Sequence, residues 1–211
     1  MSQKVADRAA AKKIKDKWKA KSWYKILTPE SFGLKEIAET PSETPEQLLG
    51  RIAETTLYNL NGDIKKEYVK LFFKVMKVDG NQAHTMFIGH DVTQDYIRRL
   101  VRRRKSRIDA IFPLTTTDGY KIRVKVTAIA DRRLNSSLKS AIRKKIIEAV
   151  MDKGTKMPFY EFVNYMLSEN IVQDIEKSVR TVYNIKKIEV RKSNLILKPT
   201  DQVIEAPQQA S

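Results

Sequence analysis

Cysteine is absent from the 211-residue chain, and histidine occurs only twice. Without cysteine the chain has no disulfide, no thiolate nucleophile and no cysteine-ligated zinc site. The two histidines, His84 and His90, make a poor metal set by themselves. Glycine-rich phosphate loops and the nucleophile-elbow motif are also missing. We therefore expect no enzyme activity: no catalytic residue, no metal, no cofactor and no small-molecule substrate.

Long hydrophobic runs are absent as well. No stretch approaches the apolar length of a membrane helix. The N-terminus is polar and lysine-rich and lacks the apolar core of a secretory signal. A peripheral membrane protein is a weak alternative, because the apolar stripes lack the Trp/Phe enrichment of interfacial helices. These features predict a cytoplasmic protein without a membrane partner.

Positive charge is what the sequence has in excess, and it is clustered. The formal net charge is +16. Residues 1–25 hold nine Lys/Arg against two Asp/Glu, and residues 98–156 hold eighteen against five. Residues 26–97 are net acidic, and residues 157–211 balance at seven each. Such clustering indicates a polyanionic partner, and nucleic acid is the first candidate because neutralised phosphates release counterions.

The first cluster is a lysine-rich tail at residues 1–22. Its apolar side chains are few, so we expect it to order on a partner. Beyond it, β-branched and aromatic residues predict strands at 23–28, 32–37, 49–60, 68–78 and 84–88.

The second cluster is RRLVRRRKSR at residues 98–107, in which seven of ten positions are cationic. Asp91 and Gln94 have capping-box spacing, and apolar residues follow at helical intervals. This pattern predicts one helix from Asp91 to about Arg107, with the arginines on its flanks and outer face.

A hairpin follows, with Asp118-Gly119 suited to a tight type I′ turn. In the return strand, YKIRVKVTAI, apolar residues alternate with Lys121, Arg123 and Lys125. Because side chains alternate across a strand, the prediction is a sheet with a core face and a basic face.

The remaining chain combines helices with a final pair of strands. A basic loop is predicted at 131–140, then an amphipathic helix that Gly154 caps. Shorter helices are predicted at 158–167 and 170–182, and two strands at 187–191 and 195–197.

Backbone and shape recognition of RNA is favoured over base readout, because the sequence lacks known base-reading motifs. A free regulatory RNA-binding protein or RNA chaperone is an alternative with the same charge pattern. The candidate RNA-binding residues are Lys12, Lys13, Lys15, Lys17, Lys19, Lys21, Arg98, Arg99, Arg102, Arg103, Lys105, Arg107, Lys121, Arg123, Lys125, Arg132, Arg133, Lys139, Arg143, Lys144 and Lys145.

Five segments together resemble one known family. They are the Trp23-Tyr24 pair after the basic tail, GHDVTQDYIRRLVRRRKSRIDA at 89–110, TTTDGYKIRVKVTAI at 115–129, IRKKIIEAVMDKG at 142–154 and DIEKSVRTVYNIKKIEVRK at 174–192. Their order and spacing resemble the archaeal and eukaryotic small-subunit ribosomal proteins of the S-three-Ae family, also called the eukaryotic-type S-one family. The resemblance spans residues 21–198, and the short C-terminus is of the archaeal type.

The resemblance implies a fold and a place of action. The expected fold class is α+β: a β-barrel-like core with amphipathic helices packed around it, plus a basic N-terminal extension. The corresponding organisation is an extension at 1–22, a single ribosomal-protein domain at 23–198 and a flexible tail at 199–211. The implied role is structural, in cytoplasmic ribosomes. The implied partners are small-subunit rRNA near its 3′ end on the platform, neighbouring ribosomal proteins and mRNA near its exit.

Overall fold

A computed structural model describes Trp18 and residues 21–197 of the chain. These residues form eight strands and five α-helices. In chain order they are β1 Ser22–Leu27, β2 Glu36–Ser42, β3 Ile52–Thr56, α1 Leu57–Asn61, β4 Val69–Asp79, β5 Gln82–Val92, α2 Gln94–Leu100, β6 Ser106–Thr115, β7 Lys121–Ala130, α3 Ser136–Gly154, α4 Phe159–Leu167, α5 Asn170–Arg180 and β8 Lys187–Leu197. Short 3-10 turns lie at Glu30–Phe32, Pro45–Leu48 and Ile64–Lys66.

The strands are hydrogen-bonded in the order β2-β1-β5-β8-β7-β6, and β3 and β4 pair off this path. Within the described residues no pairing connects β2 with β6, so the sheet is not closed. The predicted α+β class is confirmed, whereas the barrel-like core is not. The basic extension at 1–22 lies almost wholly outside the described residues.

Contacts divide the chain into two compact units. The first comprises residues 1–53 and 74–86. In it, β1 pairs antiparallel with β2 and parallel with the start of β5. Tyr24, Ile26, Leu48 and Val75 form its buried apolar cluster. The second unit comprises residues 54–73 and 87–211. The predicted domain limits at 22/23 and 198/199 stay predictions.

In the second unit, β6 and β7 pair over ten residues and β8 pairs with β7. Helix α3 packs against β6, with Ile142, Ile146 and Val150 buried. Gly154 is the last residue of α3 rather than its cap, and Thr155 is the C-cap. A Cβ on Gly154 would lie 2.6 Å from a methyl group of Leu114, so the absence of a side chain allows the helix to approach the strand.

The predicted helix from Asp91 to Arg107 is wrong at both ends. Asp91 belongs to β5, and Thr93 is the N-cap of α2. The helix ends at Leu100, and Arg104 has a left-handed φ of 65°. Strand β6 then begins at Ser106, because alternate residues from there are buried and the strand pairs with β7 throughout its length. Local helical spacing was overridden by this pairing.

Three strand predictions also differ from the structure. The predicted strand at 32–37 is displaced along the chain, because Glu30–Phe32 forms a 3-10 turn and β2 runs Glu36–Ser42. The predicted strand at 49–60 is β3 followed by α1, because Thr56 caps the helix and Gly62 ends it with a φ of 73°. The two predicted final strands are one strand, β8. Where a break between the two strands was expected, the pairing of β8 with β7 shows a register shift, between Lys125 and Val126 of β7.

Candidate nucleic-acid interface

The cationic segment at 98–107 is divided among three local structures. Arg98 and Arg99 lie exposed in the last turn of α2. Arg98 Nη1 is 3.9 Å from the carboxylate of Asp95, and the Arg99 guanidinium lies 5.8 Å from the centre of the Tyr96 ring. Arg102 and Arg103 are exposed in the turn that follows. Arg102 and Arg103 therefore lie outside the helix that was predicted to carry them.

Lys105 lies at the end of this turn and is more enclosed than Arg102 and Arg103 beside it. Its side chain is only 20% exposed, and Nζ lies 3.2 Å from Asp131, which Lys186 also contacts at 3.4 Å. The hydrogen bond from Lys105 is the main cause that lowers the pKa of Asp131 below its ordinary value. A carboxylate between two ammonium groups makes Lys105 less available to a phosphate than its exposed neighbours.

The basic face predicted for the hairpin is present on β7. Ile122, Val124 and Val126 are buried, while Lys121 and Arg123 are exposed and Lys125 is half-buried. On β6, Arg107 pairs with Asp109 at 2.9 Å. The Asp109 carboxylate also accepts a hydrogen bond from Thr127, at 2.7 Å. Arg107 is therefore held to the sheet, and Lys121 and Arg123 are the freely exposed cations of this face.

The pairing of β7 with β8 extends this basic face onto β8. Lys125 lies opposite Lys192, and Arg123 lies opposite Asn194. Lys192 also pairs with Asp91 at 2.8 Å. The sequence analysis did not include Lys192, because the sequence of one strand does not show which residues of another strand lie opposite it.

The cations predicted on α3 differ in their contacts. Arg143 Nε donates a hydrogen bond of 2.9 Å to the backbone carbonyl of Asp109 on the edge strand β6. Lys145 pairs with Glu148 at 2.9 Å, and Lys139 is half-buried. Lys144 is exposed, and no ion pair of it is found within the described residues. Arg143 thus stabilises the sheet edge, and Lys144 is the better candidate for a phosphate contact.

Two of the predicted basic segments, 98–107 and 132–145, meet in the second unit. Ser106 at the start of β6 accepts a hydrogen bond from the backbone N–H of Leu134 at 2.9 Å. Lys105 at the end of the turn contacts Asp131 of the loop, and Arg143 of α3 contacts Asp109 of β6. The turn at 101–105, the exposed loop that carries Arg132 and Arg133, and the start of α3 therefore lie together.

The predicted cations of the tail lie apart from this group in the chain. Lys12, Lys13, Lys15, Lys17 and Lys19 fall outside the described residues. Lys21 is exposed, with its Nζ 4.8 Å from the centre of the Trp18 ring.

Other kinds of site find no support in the part of the chain that the structure describes. It contains no group of three or more His, Asp or Glu side chains placed to hold a metal ion. No described helix has the length and hydropathy needed to span a membrane. Among the described residues, the predicted cations other than Lys21 all lie in the second unit.

Comparison with known proteins gives the family. A family model described as the Ribosomal S3Ae family matches residues 9–199. "Small ribosomal subunit protein eS1" of Desulfurococcus amylolyticus is 42% identical over 202 residues, which are 93% of this chain and 95% of that protein. The proteins of the same name from Thermoplasma acidophilum and Saccharolobus solfataricus are each 39% identical, covering 91% and 88% of this chain and 89% of their own lengths.

The chain belongs to the Ribosomal S3Ae family. The resemblance of its segments to that family is thereby confirmed, and the relatives are archaeal, in agreement with the archaeal type expected. Membership of a ribosomal protein family also confirms that the chain is not an enzyme.

Proposed function

We propose that this chain is a structural constituent of the small ribosomal subunit, in the cytoplasm, and binds rRNA through its second unit. The observation that carries the proposal is the meeting of the 101–105 turn, the 131–135 loop and the start of α3. These segments contribute exposed cations that have no carboxylate partner within residues 21–197, among them Arg102, Arg103 and Lys144. Membership of a ribosomal protein family supports rRNA as the polyanion that this surface binds.

The physical account of binding is electrostatic. Like charges that lie close together repel one another in the free protein, and phosphates remove that repulsion while releasing counterions. About 10 phosphate contacts would give a slope near −9 for log affinity against log salt. Several predicted cations are already paired within the protein, so Lys105, Arg107 and Lys145 contribute less than the exposed residues.

We also infer a more specific position within the subunit. It is the platform, beside the 3′ region of the rRNA, with other ribosomal proteins as neighbours and mRNA near its exit. The barrel-like core expected of the family belongs to the same inference. The support for this position is the family to which the chain belongs.

Ultraviolet crosslinking in native cells, with sequencing of the bound RNA, tests this proposal. We expect crosslinks on the 3′ region of small-subunit rRNA, from peptides within residues 1–22 and 98–145. Crosslinks scattered over mRNAs, with the protein outside ribosomal fractions, would instead identify a free regulatory RNA-binding protein.

A variant with charge reversal at Arg99, Arg103 and Lys144 tests the assignment of the surface. We expect impaired incorporation into subunits with unchanged thermal unfolding, because the three side chains are exposed. The matched control reverses three exposed lysines elsewhere: Lys74, Lys77 and Lys177. Equal incorporation of the two variants would refute the assignment.

A further inference from the structure

A basic groove in the second unit lies largely outside the residues predicted to bind RNA. Its volume is about 660 Å³. Five cationic side chains line it, against the two carboxylates Glu67 and Glu169. The cations are Lys65, Lys66, Lys70, Arg99 and Lys187. Only Arg99 belongs to the predicted set, because four of the five lie outside the basic segments of the sequence.

The cations of the groove differ in whether they already form an ion pair or a hydrogen bond within the protein. Lys70 pairs with Glu54 at 2.6 Å, and Lys187 pairs with Glu189 at 3.2 Å. Lys66 Nζ donates to the carbonyl of Leu167 at 2.9 Å. Within the described residues, the side chains of Lys65 and Arg99 have no carboxylate within ion-pair distance. These two are the groups that an incoming anion meets first.

Two stacked tyrosines line the groove. The rings of Tyr68 and Tyr96 lie 3.7 Å apart and are inclined by only 4°. Both hydroxyls donate to the same oxygen of Glu189, at 3.4 Å and 2.9 Å respectively. Burial is the main cause that raises the pKa of each phenol, with the Glu189 carboxylate adding to it. The pair therefore stays neutral, and its hydrogen bonds fix the orientation of the rings.

A smaller cavity adjoins the groove and shares Lys66, Tyr68, Glu169 and Lys187 with it. Its volume is about 240 Å³, just below the range of about 300–1,000 Å³ for pockets that hold drug-sized ligands. Val172 and Val190 supply apolar wall, and Ser168 and Gln173 supply hydrogen-bonding groups. A wall of this kind suits one planar heterocycle with polar edges.

We infer that this groove binds an unpaired stretch of RNA, with phosphates at Lys65 and Arg99 and one base against Tyr68 in the cavity. Aromatic rings beside cations are the usual means of holding single-stranded nucleic acid, because every base has a face that can stack. Glu67 and Glu169 repel phosphates but accept hydrogen bonds from exocyclic amino groups, which favours a base at their positions. The inference rests on the proposed function and adds a base-binding position to it.

Fluorescence anisotropy of the full chain with two probes tests the inference. One probe is a labelled unstructured 12-nucleotide RNA, and the other is a labelled RNA hairpin of equal charge. We expect Tyr68→Leu to weaken binding of the single strand by about tenfold, through lost stacking. Binding of the hairpin should stay unchanged, and Tyr68→Phe should retain single-strand binding because it keeps the ring.

Lys65→Gln gives an independent readout, because this side chain is exposed and its loss does not affect the core. It should weaken single-strand binding and reduce the magnitude of the log-affinity slope against log salt by about one. Lys74→Gln, an exposed lysine of the first unit, is the matched control and should change neither property. As a third readout, an RNA that contains 4-thiouridine should crosslink to Tyr68 or Tyr96.

The outcomes separate the two proposals. If Arg123→Glu weakens hairpin binding while Tyr68→Leu and Lys65→Gln leave single-strand binding unchanged, the groove inference is overturned and the proposed function stands. If the wild-type chain binds neither probe, the proposed function itself fails. If Tyr68→Leu does not fold, the Lys65→Gln variant and the 4-thiouridine crosslink test the groove inference instead. Crosslinks found only at residues other than Tyr68 and Tyr96 would refute the proposed position of the base.

Discussion

His90 Nδ1 lies 2.7 Å from Ser193 Oγ, although 103 residues separate the two along the chain. The Ser193 hydroxyl also accepts the backbone N–H of His90 at 3.1 Å, and His90 Nε2 lies 2.9 Å from the carbonyl oxygen of Val190. A carbonyl only accepts, so Nε2 carries the proton and Nδ1 accepts from the serine hydroxyl. Both side chains are buried, and together they join β5 to β8.

Stability should depend on pH through His90. Burial is the main cause that lowers its pKa in the folded chain below the ordinary 6.5, with Lys192 adding to it, while the Val190 hydrogen bond and Asp91 oppose it. As pH falls below 6.5, the unfolded chain takes up the proton first, so stability is full above that pH and declines below it. Thermal unfolding between pH 7.5 and 5 measures this decline.

His90→Asn is the comparison for that measurement. We expect this variant to be less stable at pH 7.5 by about 2 kcal/mol, because buried partners lose their hydrogen bonds. Its stability should vary less between pH 6.5 and 5 than that of the wild type. An equal decline in both proteins would show that His90 is not the group that titrates.

Gly89→Ala should destabilise the fold severely. A Cβ at position 89 would lie 2.1 Å from the backbone oxygen of Ser193, and a strand backbone cannot yield as a side chain can. We expect a loss of about 3 kcal/mol or more in chemical denaturation, at the upper end of overpacking effects. Gly62→Ala is the control, because that glycine has a φ of 73° but no atom within 4 Å of the added Cβ. Its cost should be only about 1–2 kcal/mol, from the left-handed backbone alone.

Arg143→Met should lower stability by about 1 kcal/mol, because the guanidinium no longer donates to the Asp109 carbonyl on the edge strand. Lys144→Met, one residue along the same helix, should change stability by less than about 0.5 kcal/mol. RNA affinity should respond more strongly to the Lys144 substitution. A reversed order in either measurement would contradict the roles assigned to these two residues.

Asp131→Asn should strengthen RNA binding at low salt. The substitution removes the carboxylate that lies 3.2 Å from Lys105 and 3.4 Å from Lys186, and it also removes a negative charge near the phosphates. We expect the slope of log affinity against log salt to steepen by about one, because Lys105 becomes available. Asp152→Asn, an exposed carboxylate in the last part of α3, should leave the slope unchanged. Equal slopes for the two variants would show that Lys105 does not contact RNA.

The basic face of β7 was predictable because strand periodicity is local. Lys121, Arg123 and Lys125 alternate with apolar residues in the sequence itself, and those apolar residues are buried. The predicted type I′ turn at Asp118-Gly119 is wrong: the Gly119 N–H donates to the carbonyl of Thr116, and of the two residues only Gly119 has a positive φ, of 78°. The predicted helix across 98–107 failed for the opposite reason. Whether Ser106 and Arg107 continue a helix or start a strand depends on a partner strand that begins fifteen residues later.

By itself, the sequence determined the family, the α+β class and the excess of positive charge, because all three follow from residue types and their order. Only the tertiary structure decided which cations are exposed and which are paired with a carboxylate. Asp131 pairs with Lys105 from 26 positions away, and the groove at Tyr68 gathers Lys187 with residues from 64–70 and 93–99. A charge count along the chain cannot show this, because the energy of a cation depends on its neighbours in space.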